Sequence, residues 1–365
     1  MTPLHQLADQ GQSVWIDFLS RKFVKEGELA ALIREGVVGA TSNPTIFQAA
    51  IADGNAYDEQ IKEVTAVESD PKEIFLALAR DDIRDACDEF RAVWDDGDGK
   101  DGWVSLEVDP NLAHDTDSTI AEAARLHAMV ERPNLLVKIP ATRAGLPAIE
   151  ESIAAGIPVN VTLIFSLQRH REVAEAYLRG LRRLIDGGGD AGKVASVASF
   201  FVSRVDTEAD RRLDEIGGPA ELKGKLAIAN AKLAYVTYQE LFSGPDWDAL
   251  AAAGATPQRC LWASTSTKNP EYRDVIYVEE LIGPDTVNTM PRETVEAFQD
   301  HGNAKPTLAQ DLDGARRTLD AFAAAGIDYD DVVATLEREG VEKFSKSFKD
   351  LLDGIAGKRD ALVAA

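Results

Sequence analysis

From end to end the chain alternates short apolar runs with longer stretches that place apolar residues at helical spacing. A strand repeats its facing every two residues and a helix every 3.6, so the two patterns cannot substitute for one another. Eight runs read as strands: Val14 to Phe18, Val37 to Ala40, Trp103 to Val108, Leu135 to Ile139, Pro158 to Leu163, Val194 to Phe201, Arg259 to Ser264 and Thr286 to Asn288. Between them Ala121 to Glu131, Gln168 to Ile185, Leu222 to Phe242 and Leu308 to Ala325 read as amphipathic helices. Repeated β/α units imply a parallel sheet covered by helices, and eight is the number that closes into a (β/α)8 TIM barrel. An open doubly wound sheet also alternates in this way, but no Gly-x-Gly-x-x-Gly follows the first run.

The expected fold is therefore α/β, a single (β/α)8 barrel over residues 1–365 with extra helices and a helical C-terminal tail. The longest connection, 55–101, carries helical patterns at Tyr57 to Val67 and Lys72 to Trp94 and reads as an added helical layer, not a second domain. The tail from Tyr329 to Ala365 is expected to pack across one end of the barrel.

Composition removes several functions. The chain has 39 basic and 62 acidic side chains, a formal charge of −23, which repels nucleic acid and anionic membranes at long range. No apolar stretch approaches the roughly 20 residues of a membrane span, and the opening Met1-Thr2-Pro3-Leu4-His5-Gln6 lacks the basic start and apolar centre of an export signal. A cytoplasmic location is expected. The two cysteines, Cys87 and Cys260, are far apart, and the five histidines are scattered. Neither a disulfide framework nor a zinc site is indicated.

One residue breaks the strand pattern in a chemically telling way. Lys138 stands inside Leu135-Leu136-Val137-Lys138-Ile139-Pro140, near the C-terminal end of the fourth run. An ammonium removed from water loses hydration, which favours the free amine that attacks carbonyls. The alternative is a buried stem with a snorkelling head.

Catalytic groups of parallel barrels sit at the C-terminal strand ends. Asp17, Asn43, Glu107, Lys138, Asn160, Thr162, Ser199, Arg204, Ser264, Lys268 and Asn288 all fall at or just past such ends. Alternation puts Asn160 with Thr162, Ser105 with Glu107, and Ser199 with Phe201. Simpler readings stand beside these. Thr41-Ser42-Asn43 before Pro44 could cap a helix, Arg204 and Asp206 could be a surface pair, and Ser264 to Thr267 could bond only to their own backbone. Asp17 and Glu107 are harder to explain structurally, because a carboxylate in an apolar strand costs free energy unless paired. The residues alone point to a Schiff-base enzyme in a barrel.

Several segments together resemble the transaldolase family, in its longer bacterial branch: Thr41-Ser42-Asn43-Pro44-Thr45-Ile46-Phe47, Ser105-Leu106-Glu107-Val108-Asp109, Leu136-Val137-Lys138-Ile139-Pro140-Ala141-Thr142, Asn160 to Ser166 and Ser199 to Arg204. The resemblance spans nearly the whole chain. It implies transfer of a dihydroxyacetone unit between sugar phosphates, within the non-oxidative pentose phosphate pathway, without metal or cofactor. By motif, Lys138 would form the Schiff base, Asp17 would be general acid/base, and Glu107 and Thr162 would position a proton-shuttling water. Asn43, Asn160 and Ser199 would bind sugar hydroxyls or the imine, and Arg204 the phosphate. Lys268 stands where shorter relatives carry a second phosphate-binding arginine. Phe201 replaces the tyrosine of aldolase-type relatives, favouring transfer over release of free dihydroxyacetone. A non-catalytic sugar-phosphate-binding barrel is the third reading.

Overall fold

The computed structural model describes residues 2–364; Met1 and Ala365 lie outside the described residues. Eight parallel strands close in sequence order: β1 (Gln12–Ile16), β2 (Val37–Ala40), β3 (Trp103–Glu107), β4 (Leu135–Pro140), β5 (Val159–Ile164), β6 (Ser196–Phe201), β7 (Arg259–Ala263) and β8 (Thr286–Met290). β8 pairs back onto β1, so no sheet edge is left open. The barrel and its coat of helices share one continuous apolar core. Among the described residues no helix is long and apolar enough to cross a membrane.

The first strand begins and ends two residues earlier than its apolar pattern predicts. Gln12 and Ser13 are polar, yet both are buried, because their side chains find partners: Gln12 Nε2 donates to Leu281 O and Thr286 Oγ1, and Ser13 Oγ to Asp101 Oδ2. Asp17 therefore lies just past β1 instead of within it, its N–H still tied to Met290 O at 2.8 Å.

The 55–101 connection is a helical layer, as expected, but the Lys72 to Trp94 pattern divides at Phe90 into helices Pro71–Glu89 and Arg91–Asp96. Its far end closes the N-terminal mouth of the barrel. There Asp101 accepts from Ser13, from Trp15 Nε1 at 3.2 Å and from Arg259 Nη2 at 3.0 Å.

The tail is one helix, Tyr329–Ala364, that crosses the opposite mouth against the helices Pro44–Ala52, Asp58–Thr65 and Pro71–Glu89. Gly340, Phe344 and Phe348, four residues apart, face inward together. A Cβ on Gly340 would stand 3.0 Å from Leu163 Cδ2, so the glycine sets how closely the helix approaches β5.

Candidate active site

A cavity of about 260 Å³ opens at the C-terminal mouth of the barrel. Nine sequence-selected residues line it: Asp17, Asn43, Lys138, Thr162, Ser199, Phe201, Arg204, Ser264 and Lys268. Thr289, Glu293, Lys343 and Phe344, which strand periodicity does not mark, line it too. Glu107 and Asn160 lie behind the wall, and Asn288 is turned to Thr265, whose hydroxyl it accepts at 2.9 Å.

Lys138 is nearly buried, but its ammonium is not alone. Nζ lies 3.2 Å from Glu107 Oε2 and donates to Ser42 O at 3.1 Å. Glu107 is its direct register partner across β3 and β4. Burial raises the Glu107 carboxyl above the usual glutamate range, with Lys138 opposing the shift and Asp17 adding to it. Asp17 is raised too, chiefly by burial, against the pull of Lys138, the Thr41 hydroxyl and Arg204. Thr41 Oγ1 donates to Asp17 Oδ1 at 2.7 Å and bonds Thr289 Oγ1 at 2.8 Å, which fixes the carboxylate's orientation. Two carboxyls that favour the proton thus flank one lysine, the arrangement from which acid/base pairs are built.

Thr162 Oγ1 lines the cavity, buried and without a hydrogen-bond partner among the described residues. Such a hydroxyl is costly to leave unmatched and marks a place for a polar ligand atom. Leu163 next to it has φ 61°, where the ladder between β5 and β6 shifts register. The left-handed backbone there is strain held in place at the cavity wall.

The simpler readings of the strand-end residues divide. Asn43 does cap the Pro44–Ala52 helix, accepting from Ile46 N at 3.0 Å, and it lines the cavity as well, so the capping residue also faces the cavity. Arg204 and Asp206 are not a pair. Asp206 is buried and accepts from Ala227 N and Tyr277 Oη, whereas Arg204 lies over the Phe201 ring, 5.0 Å from its centroid. Ser264 and Thr265 bond beyond their own loop, to Ser203 Oγ and Asn288. Asn160 ties Ser105 Oγ, to which it donates at 3.0 Å, to Ser199 Oγ, which donates to it at 2.6 Å.

Lysine, paired carboxyls and an unmatched hydroxyl under a cation-lined rim define a carbonyl-chemistry enzyme on a (β/α)8 barrel. Residues 14–355 match the family described as transaldolase/fructose-6-phosphate aldolase. The chain is 55% identical to the transaldolase of Acidothermus cellulolyticus over 96% of its length and 95% of that protein. It is 53% identical to that of Frankia alni, covering 97% and 96%, and 53% to that of Mycolicibacterium smegmatis, covering 98% of both. The chain belongs to the transaldolase/fructose-6-phosphate aldolase family.

Proposed function

We propose that the chain acts as a transaldolase, moving a three-carbon dihydroxyacetone unit from a ketose phosphate to an aldose phosphate, with sedoheptulose 7-phosphate or fructose 6-phosphate as donor and glyceraldehyde 3-phosphate or erythrose 4-phosphate as acceptor. The observation that carries the reading is the buried Lys138 ammonium paired to Glu107 at the floor of a polar cavity.

Glu107 takes the ammonium proton as substrate enters, and the free amine adds to the ketose carbonyl. Loss of water from the carbinolamine gives a protonated imine; Glu107 returns the proton, and Thr162 holds the departing water. Asp17 removes a proton from the C4 hydroxyl, the C3–C4 bond breaks, and the electron pair is drawn into the imine as an enamine. The aldehyde product leaves, an acceptor aldehyde enters, the enamine adds to it, and Asp17 delivers the proton to the new alkoxide. Hydrolysis of the imine frees the product and restores Lys138. Asn43 and Ser199 face the sugar, while Asn160 acts through Ser199 instead of touching substrate. Arg204 and Lys268 hold the phosphate, where a guanidinium offers a fork of donors and an ammonium a point charge.

Release of free dihydroxyacetone would need a proton delivered to the enamine. Phe201, which packs on Phe165 with centroids 5.1 Å apart, offers no hydroxyl for this.

The test is intact mass and peptide mapping after fructose 6-phosphate and borohydride, for the wild type and Lys138→Ala. A reduced three-carbon adduct on Lys138, absent from the variant, is expected. No adduct despite demonstrated binding would leave a sugar-phosphate-binding barrel as the better reading.

A further inference from the structure

Three cations from distant parts of the chain meet at one side of the cavity. Arg204 heads the helix after β6, Lys268 lies in the loop after β7, and Lys343 descends from the C-terminal helix. Among the described residues none of the three forms an ion pair. Arg204 is half-buried over the Phe201 ring, while Lys343 and Lys268, which donates to Ser266 Oγ, are exposed at the cavity mouth. In a chain with 62 acidic side chains to 39 basic ones, carboxylates are not scarce. The cations lie near enough to act on one another at Lys343, where Arg204 first, then partial burial and Lys268, hold the ammonium below the usual lysine range, whereas Arg204 itself is balanced in part by Asp17. An anion at this side of the cavity would be attracted by all three positive charges.

The helix is held where Lys343 is useful. Phe344 packs buried beside it, its ring centroid 5.7 Å from Lys138 Nζ. One turn on, Ser347 accepts from Thr45 Oγ1 at 2.9 Å, and Thr45 itself lines the cavity. Phe348 sits edge-on to Phe75, centroids 5.8 Å apart. Lys343 and Ser347 share a helix face, so the contacts that dock the helix also aim the lysine.

We propose that Lys343 is a third ligand of the substrate phosphate, so that the C-terminal helix is a working wall of the substrate site and favours phosphorylated over neutral sugars. The proposal rests on the reading of Arg204 and Lys268 as phosphate ligands, and its test separates the two.

Steady-state kinetics with fructose 6-phosphate and with fructose would be measured for Lys343→Met, Lys343→Arg and Arg204→Ala, alongside inhibition by inorganic phosphate. Lys343→Met is expected to raise KM for the phosphorylated donor about 10- to 100-fold, the scale of one charge-assisted hydrogen bond. KM for fructose should move far less, phosphate inhibition should weaken in parallel with the phosphorylated donor, and Lys343→Arg should recover most of the loss. If Arg204→Ala shows this selectivity and Lys343→Met does not, the phosphate site stands and the role of Lys343 is overturned. If neither variant discriminates between the donors, both assignments fall.

Discussion

Glu107 and Lys138 are register partners on β3 and β4, and their ion pair at 3.2 Å follows from the parallel ladder itself. Side chains directly across neighbouring strands stand close enough to touch, so a carboxylate at this register meets the lysine without any loop having to place it. The lysine and the carboxylate thus both sit on strands of the closed barrel, which suits the proposed proton transfers between them.

Replacing Glu107 by Gln should slow imine formation while leaving the nucleophile in place. The expected loss is about 10²- to 10⁴-fold in the single-turnover rate of borohydride trapping. A variant trapped as fast as the wild type would remove Glu107 from the proton transfers.

Asp17→Asn should cost turnover on the same scale, about 10²- to 10⁴-fold, and yet stabilise the fold at neutral pH. The folded site raises the Asp17 carboxyl above its ordinary value. The folded state therefore holds the proton more tightly than the unfolded one, and stability falls as pH rises through the raised value. Asparagine keeps the acceptor for Thr41 and carries no charge to bury. Calorimetry at pH 7.5 should show a higher Tm for the variant, with the difference shrinking in acid; a lower Tm at neutral pH would contradict this account of the site.

Asp206 offers a second test of the same linkage away from the chemistry. Burial pushes its carboxyl up to about 7, although the Ala227 N–H and the Tyr277 hydroxyl both bond to it. In the unfolded chain the proton leaves near the ordinary aspartate value of 3.8. Between these values the folded state binds more protons, so this contribution to stability is full in acid and disappears as pH rises through about 7. Asp206→Asn is expected to match the wild type in acid and to melt a few degrees higher at pH 8. Parallel Tm curves across that range would show that Asp206 is not held protonated.

Gly145 follows the loop that leaves the lysine strand. An added Cβ would lie 2.0 Å from Pro140 O, a backbone atom that cannot rotate aside. Gly145→Ala should thus destabilise by about 1–3 kcal/mol, as overpacked sites do, and lower trapping at Lys138 by shifting the end of β4. An unchanged Tm and unchanged trapping would mean that the loop relaxes freely.

Much of this site was legible in the residues. Lys138, Glu107, Asn160, Thr162 and Ser199 stand out because each is a polar residue in an otherwise apolar strand, and alternation fixes which of them share a face. The same logic could not divide residues lining the cavity from those behind it. Asn160 and Thr162 have identical parity, yet Asn160 is consumed by Ser105 and Ser199 whereas Thr162 reaches the cavity. The apolar pattern does not include Gln12 and Ser13 in the first strand, because burial of a polar side chain depends on partners far along the chain.

The sequence by itself determined what local backbone geometry controls: eight strand patterns in order, their inward faces, and a lysine no ordinary strand would carry. Closure of β8 on β1, the meeting of Arg204, Lys268 and Lys343, and the docking of the Tyr329–Ala364 helix over Lys138 were decided only in three dimensions. A side chain's periodicity comes from its own neighbours in the chain, but a contact between residues far apart in sequence exists only once packing has brought their elements together.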